Sequence, residues 1–381
     1  MVSVKFEEPM YCRRTDSRRT QRGAALILAM LVFALASALI VGLQREFTLT
    51  LQRGTHQLFS EQAWAYLIGA EQLAVLALRA DSQADARSES PVDHLGELWA
   101  QPPTPYPLDA GGWMSGELED LQGRFNVNAL LSQSGKSAAG NGEVSATEAS
   151  VGSADEVNND LQPAVDTGTT DAESRWTPAQ KVLIRLLQSL GEASLKLEEA
   201  MALTESIIDF IDADSERRAN GAESGEYRYA EFPYLPANRP LASVSELRAV
   251  KGMTLPVYEA LAPLVTVWPE EGGGINILTA PLPVLRSLNA DDVWQPLPEI
   301  EGERLGTLRA EGEIARVEDF LSDPVLEGRP SSELETLITT RSEWFLLDAN
   351  VELAGQTRHL RTVLHRSAGE TLAVFRSEGE L

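Results

Sequence analysis

Most side chains that could do chemistry in this 381-residue chain are carboxylates, and they are dense in one short segment. Asp212, Asp214, Glu216 and Glu223 stand at relative positions 1, 3, 5 and 12, which are ligand positions of an EF-hand calcium loop. Position 6 holds Arg217 instead of the EF-hand glycine. Grouped carboxylates repel one another unless water or a hard cation neutralises them, and the residues alone favour a solvated acidic loop over a calcium site. The candidate oxygen ligands are Asp212, Asp214, Asn220, Glu223 and Glu226.

Other catalytic and binding chemistry has little support in the composition. One cysteine and four histidines are too few for a thiolate-rich or histidine-rich zinc site. The sequence lacks a serine or cysteine nucleophile motif. A formal net charge of −25 opposes binding to nucleic acid. Residues 244–265 resemble a helix-hairpin-helix, but their acidic surroundings favour a packing role over DNA binding. We therefore expect a protein that is not an enzyme.

The elements that position these residues begin with a long apolar run at residues 24–43. It contains no charge and is about 30 Å long as a helix, which matches the hydrocarbon core of a bilayer. Six basic residues precede the run and an acidic body follows it, which indicates a cytoplasmic N-terminus. The alternative is a cleaved secretory signal peptide with a small-residue site at Ala36-Ser37-Ala38, although that cut falls inside the run.

Residues 44–80 continue without proline, and their apolar residues recur at helical spacing. With the apolar run they predict one helix of about 55 residues that lies partly in lipid and partly in water. Glu46, Arg53, Glu61 and Glu71 lie outside the apolar stripe. The stripe predicts packing beside other helices, and the alternative is a membrane anchor followed by a separate helix. Its members are Phe47, Leu51, Leu58, Ala65, Leu73 and Leu76.

Several stretches resemble one protein family. Arg22-Gly23, directly before an uncharged helix, resembles the type III signal of type IV pilins and type II secretion pseudopilins. Residues 121–128 (LQGRFNVN) and 274–281 (GINILTAP) resemble stretches of the minor pseudopilin K family, with Leu278 in place of a usual asparagine. The acidic loop resembles that family's loop as well. Leu28 stands at the fifth position after Gly23, where most pilins have a glutamate and pseudopilin K lacks one.

The resemblance implies a minor pseudopilin of a type II secretion system. A prepilin peptidase would cut between Gly23 and Ala24 and methylate the new amino terminus. The body would lie in the periplasm, anchored by one inner-membrane helix. The implied partners resemble minor pseudopilins I and J. Because position 28 holds leucine and not glutamate, the subunit would cap the pseudopilus tip and support export across the outer membrane. Calcium in the acidic loop is then favoured. The alternative function is a membrane-anchored or secreted periplasmic binding module that recognises secreted cargo directly.

The sequence also predicts the order of the segments and an α+β fold, in which a long N-terminal helix packs on an antiparallel sheet with an inserted all-helical domain. Residues 113–119 and 124–128 predict a hairpin, the alternation after residue 344 predicts an antiparallel meander, and residues 177–180 form a capping box. The expected segments are a removed leader at 1–23, an assembly helix at 24–80, pseudopilin-domain parts at 81–131 and 271–381, a disordered acidic insertion at 132–175 and the helical domain at 176–270.

Overall fold

The computed structural model describes residues 21–88, 90–109, 111–131, 176–229, 231–367 and 369–379. The predicted insertion at 132–175 and most of the predicted leader lie outside these residues. The chain forms two compact units, Met1–Trp64 and Ala65–Leu381. Helix α1, Gln21–Asp85, begins in the first unit and continues into the second.

The first unit consists, in its described part, of helix α1 alone. This stretch is long and apolar enough to cross a membrane, and its most apolar part is not buried. Beyond the apolar run, the hydroxyls of Thr48, Thr50 and Thr55 each donate to the carbonyl oxygen four residues earlier, at 2.8–2.9 Å. These bonds satisfy the hydroxyls within the helix, so β-branched polar residues do not interrupt it. The prediction of one continuous helix is confirmed.

The described part of the second unit contains nine strands. They are β1 (Tyr106–Pro107), β2 (Trp113–Asp120), β3 (Phe125–Asn126), β4 (Val265–Thr266), β5 (Ile275–Asn276), β6 (Ile338–Thr339), β7 (Trp344–Leu353), β8 (Gln356–Ser367) and β9 (Glu370–Ser377). Five form an antiparallel sheet in the order β1–β2–β7–β8–β9. The predicted C-terminal meander is confirmed by β7, β8 and β9. Ala354 and Gly355 join β7 to β8 with φ of 52° and 74°, as a tight hairpin turn requires.

The predicted hairpin of residues 113–119 and 124–128 is wrong. Strand β2 pairs with β7, which lies more than 200 residues later, in a register that sets Leu118 opposite Leu347. At the expected turn the Asp120 carboxylate accepts the Gln122 N–H at 2.8 Å and caps a short 3₁₀ helix, Leu121–Gly123. Strand β3 then pairs in parallel with β4. The cap at Asp120 redirects the chain, because it favours a helical turn over a hairpin turn.

In the second unit helix α1 packs on the sheet through a face of alanines and leucines. Leu67, Ala70, Ala74 and Leu78 are buried on this face. Glu71 is 1% exposed and accepts a hydrogen bond from Arg376 of β9. The members of the predicted stripe in this unit lie elsewhere, since Leu73 and Leu76 are 58% and 62% exposed. The α+β class with a long helix on an antiparallel sheet is confirmed, and the stripe is the uncovered face of the helix.

Of the remaining described helices, four lie between β3 and β4 along the chain and four lie between β5 and β6. They are α2 (Pro178–Leu187), α3 (Leu197–Ile211), α4 (Ser224–Arg228), α5 (Leu255–Leu261), α6 (Leu282–Ser287), α7 (Glu299–Glu311), α8 (Val317–Leu321) and α9 (Ser332–Glu335). The capping box of α2 is confirmed, because the N–H groups of Thr177 and Gln180 each donate to the other's side chain. Helix α7 was not expected from the sequence. It buries only Gly302 and Leu305, so its apolar pattern is weak.

The core of these helices is continuous with that of residues 275–338. Arg185 of α2 is 2% exposed, and its guanidinium donates to the carbonyl oxygens of Asn289, Ala290 and Val293 at 2.7–3.0 Å. Buried carbonyl groups of one segment are thus satisfied by a helix of the other. The boundaries predicted for the helical domain stay a prediction.

The two asparagine-containing stretches, 121–128 and 274–281, meet in the core. The Asn276 amide donates to the carbonyl oxygen of Asp93, to Asp120 Oδ2 and to Ser342 Oγ at 2.9–3.1 Å. A Cβ at Gly123 would lie 2.8 Å from Oγ1 of Thr279, so only glycine permits this approach. The residues that carry the family resemblance therefore hold separate parts of the fold together.

Candidate cation site and assembly surface

The acidic loop connects helix α3 to helix α4, and both helices are fixed by the core. The last turns of α3 are anchored in the core by the buried side chains of Ile207, Ile208 and Ile211. Asp212 follows as its C-terminal cap, and its N–H donates to the carbonyl oxygen of Ile208 at 2.8 Å. At the other end of the loop Glu223 is the N-terminal cap of α4. Asp212 and Glu223 thus lie at the two helix ends that flank the loop.

This arrangement brings together three of the five predicted ligands. Carboxylate oxygens of Asp212, Asp214 and Glu223 lie within 4.8 Å of one another, which is close enough for one cation. Oδ1 of Asp212 and Oε1 of Glu223 are buried atoms without a hydrogen-bond partner among the described residues. Buried oxygens without a donor are costly, and a cation would satisfy them.

The other two predicted ligands have partners of their own. The Asn220 amide donates to Glu205 Oε2 at 3.0 Å. Glu226 accepts from Arg217 at 2.7 Å and from the N–H of Glu223 at 3.1 Å, within the capping box of α4. The Arg217 hydrogen bond lowers the pKa of Glu226. The structure does not place these two side chains in the cluster, and their role as ligands stays a prediction.

One acidic residue of the site was not among the predicted ligands. Asp209, on the last turn of α3, is fully buried. Its Oδ1 accepts no hydrogen bond from the described residues but lies 3.5 Å from Nε of Arg218, as an ion pair. Its Oδ2 accepts the N–H of Arg218 at 3.0 Å. A Cβ at Gly221 would lie 1.9 Å from that Oδ2, so the loop passes directly over the carboxylate. Gly221, a glycine inside the acidic loop, was the sequence signal that could have indicated a close contact with Asp209.

The electrostatics of the cluster favour a positive partner. Burial raises the pKa of Asp209 to about 6, although the Arg218 N–H opposes this shift. Burial, with Asp214 and Asp209 nearby, raises the pKa of Asp212 to about 6 as well. Burial also raises the pKa of Glu223. Raised carboxyl pKa values indicate that negative charge is poorly solvated here. The donor set is all oxygen, which suits a hard cation such as calcium.

The second candidate site is the uncovered surface of helix α1. In the first unit Phe47, Leu51 and Leu58 are 55–68% exposed. In the second unit Leu73 and Leu76 are exposed on the helix that carries the buried Leu67. Exposed apolar side chains on a helix are typical of an interaction surface, and each unit presents its own.

The predicted peptidase site lies near the beginning of α1. Gly23 and Ala24 are helical and exposed. A Cβ at Gly23 would meet no atom within 4 Å, so other residues fit there without strain. Leu28, at the position of the usual pilin glutamate, is 65% exposed. The glycine is thus not required by packing.

Comparison with known proteins agrees with these features. A family model described as type II secretion system (T2SS), protein K, matches residues 123–270. Type II secretion system protein K of Pseudomonas aeruginosa is 30% identical over 360 residues, which cover 94% of this chain and 92% of that protein. The protein of the same name from Pectobacterium carotovorum subsp. carotovorum is 29% identical over 95% of this chain and 98% of its own length.

A solved structure shares the fold. It is the crystal structure of the GspK-GspI-GspJ complex from the enterotoxigenic Escherichia coli type 2 secretion system. The superposition has a TM-score of 0.61 and covers 86% of this chain and 100% of the matched chain, with 23% sequence identity.

The fold, the long apolar helix and these relatives define the class: a pseudopilin-type structural component of type II secretion. Within that class, the chain belongs to the type II secretion system protein K family. The family resemblance inferred from the motifs is confirmed.

Proposed function

We propose that this chain is a minor pseudopilin that forms and caps the tip of the pseudopilus together with other minor pseudopilins, and so supports protein export across the outer membrane. The observation that carries the proposal is the apolar surface of α1, which the rest of the described chain leaves uncovered at Leu73 and Leu76. Burying such area contributes roughly 25 cal/mol per Å² before the entropic cost of association.

The proposed partners resemble minor pseudopilins I and J. The related GspK was solved in complex with GspI and GspJ, and its fold matches this chain over 86% of its length. A partner with an apolar helix of its own fits the uncovered side of α1, because apolar side chains of both helices would be buried away from water.

The proposed position at the tip depends on Leu28. In an apolar bundle of helices a glutamate at this position needs a positive partner on the neighbouring subunit, since a buried lone carboxylate is costly. Leucine offers no such contact. A subunit that lacks one axial contact fits the end of a filament and not its interior.

Maturation and orientation follow from the same segment. We place the N-terminus in the cytoplasm because six basic residues precede the apolar run, and the acidic body in the periplasm. Prepilin peptidase would cut between Gly23 and Ala24 and methylate Ala24. Cleavage also removes Cys12, which is the single cysteine of the sequence.

We further propose that the acidic loop binds calcium. Asp212, Asp214 and Glu223 would hold the ion, since their oxygens converge and two of them are buried without a donor. Asp209 lies against the same loop and adds to its negative charge. Calcium would join the ends of α3 and α4 and thereby order the loop between them.

A second candidate function is a periplasmic binding module that recognises secreted cargo directly. Two aromatic side chains just after α4, Tyr229 and Phe232, are 92% and 79% exposed. Exposed aromatic rings are typical of binding hot spots. Such a module would act without the uncovered surface of α1.

The test is co-purification of the full-length chain with the I-like and J-like pseudopilins of the same system from detergent-solubilised membranes. Leu76→Arg should reduce the recovered partners at least about tenfold, because a charge would enter an apolar contact. Leu255→Arg is the matched control, as Leu255 is 58% exposed in the second unit but lies on α5. Both variants should keep the wild-type melting temperature. Wild-type protein that elutes alone, or Leu76→Arg protein that retains its partners, would favour the binding module.

A further inference from the structure

A second cluster of charges lies where helix α1 ends on the sheet. Arg366 of β8 is 7% exposed, and its guanidinium donates to Asp81 of α1 at 2.7 Å and to Asp93. It also donates to the carbonyl oxygen of Ser342 at 2.7 Å and lies 4.8 Å from the ring centre of Phe345. One arginine thus joins the last turns of α1, the loop that follows it and the sheet.

Glu97 adds a carboxyl group to this cluster. Its oxygens approach those of Asp81 and Asp93 within 4.8 Å, and its side chain is 13% exposed. Its Oε2 accepts the indole N–H of Trp99 at 2.5 Å. Trp99 is 3% exposed and packs edge-on against Phe345, with ring centres 5.1 Å apart. Glu97 therefore anchors residues 93–100 between the end of α1 and the sheet.

The charges that face Glu97 are mostly negative. Helix α1 contributes Asp81 and Asp85, and the loop of Glu97 contributes Asp93. Arg366 and Arg341 lie near the neighbouring Asp85. The imidazole of His94 has its Nε2 3.7 Å from Glu97 Oε1. Arg366 is already bound to two of the carboxylates. An ionised Glu97 would thus lie beside two aspartates that share one arginine.

We propose that Glu97 is a proton switch: in its neutral form it holds residues 93–100 against the end of α1, and its ionisation loosens this segment. The cause is electrostatic, because a further negative charge would be poorly solvated and would repel Asp81 and Asp93. The switch is separate from the cation site and independent of the proposed function.

The direction of the pH effect follows from the shift of Glu97. Burial raises its pKa to about 8, against the Trp99 hydrogen bond and with the support of Asp81, Asp93 and Asp85. The folded state then binds a proton that the unfolded state releases near the ordinary glutamate pKa of 4.5. The stabilising contribution is complete below the unfolded pKa and is lost as pH rises through about 8.

The experiment compares the full-length protein in detergent with its Glu97→Gln variant between pH 6.5 and 9. Glutamine keeps an acceptor for Trp99 and does not ionise. Between pH 7 and 9 the melting temperature of the wild type should fall by about 3 °C more than that of Glu97→Gln. Glu117→Gln, at an exposed position of β2, should retain the wild-type pH profile.

Hydrogen exchange of the wild type provides a second measurement that does not depend on how the variant folds. After correction for the intrinsic pH dependence of exchange, residues 81–100 should lose protection between pH 7 and 9, while β7 and β8 should not. Parallel pH profiles of wild type and Glu97→Gln, or unchanged protection of residues 81–100, would each overturn the proposal.

Discussion

At the scale of residues, the acidic loop requires a glycine where it passes over a buried carboxylate. Gly221 passes over Asp209 so closely that a Cβ would lie 1.9 Å from Oδ2. Asp209 is fully buried, whereas Asp214 is exposed. One side of the cluster is therefore built into the core and the other is open to solvent, so that an ion from solution can reach buried oxygens.

Calcium should stabilise the protein through this cluster. At a concentration of about one hundred times the dissociation constant, we expect the melting temperature to rise by about 5 °C relative to protein in chelator. The measurement is calorimetry of the full-length protein in detergent. Asp212→Asn should reduce the rise, and Asp292→Asn, at an exposed site away from the loop, should leave it intact. Equal melting temperatures with calcium and with chelator would remove the cation site from the account.

The residues of this site were partly predictable. Asp212, Asp214 and Glu223 share a recognisable spacing, and the fold brings them together. Asp209 was missed because it lies inside an apolar helix, where a carboxylate gives no local signal of its contact with the loop. Glu226 shares the local acidic pattern, but the helix cap and Arg217 occupy its oxygens. Proximity in the sequence therefore indicated the acidic segment, and the fold determines which of its carboxylates converge.

At the scale of elements, helix α1 has different surfaces on its two sides. Its sheet side contains alanines together with the buried Leu67 and Leu78. Its uncovered side contains Leu73 and Leu76. Both sides are thus apolar, and the predicted stripe follows the uncovered side and not the side that packs. The charge on the packing side, Glu71, gave no sequence signal of its burial.

Glu71 fixes α1 on the sheet through an ion pair. Its carboxylate accepts two hydrogen bonds from Arg376 of β9, at 2.6 and 2.8 Å, and one from the Thr362 hydroxyl of β8 at 3.1 Å. Arg376→Met would leave a carboxylate that is 1% exposed without its charged partner. We expect the free energy of unfolding to fall by about 2–4 kcal/mol.

The control for this prediction is Arg358→Met. Arg358 pairs with Glu378 at 3.6 Å, and both side chains are largely exposed. Removal of an exposed pair costs about 0–1 kcal/mol. Denaturant unfolding of both variants provides the comparison. Equal losses in the two variants would show that Glu71 does not fix the helix on the sheet.

At the scale of the whole molecule, the strand pairing was the least predictable feature. Strands β7, β8 and β9 follow one another along the chain, and their alternation and turns predicted the meander. Strand β2 joins the same sheet from the other end of the domain sequence, and local pattern carries no signal of a partner that lies so far along the chain. The family resemblance supplied the overall class, and the distant pairing of β2 with β7 came from the structure.

The proposed function requires helix α1 to be released from its basic leader and to associate with partner helices. The most direct measurement is the mass of the amino-terminal peptide of the protein extracted from membranes. We predict a chain that begins with a methylated Ala24, and an uncut chain for Gly23→Val, a change that packing permits. A wild-type chain that begins at Leu39, or one that keeps residues 1–23, would contradict the account.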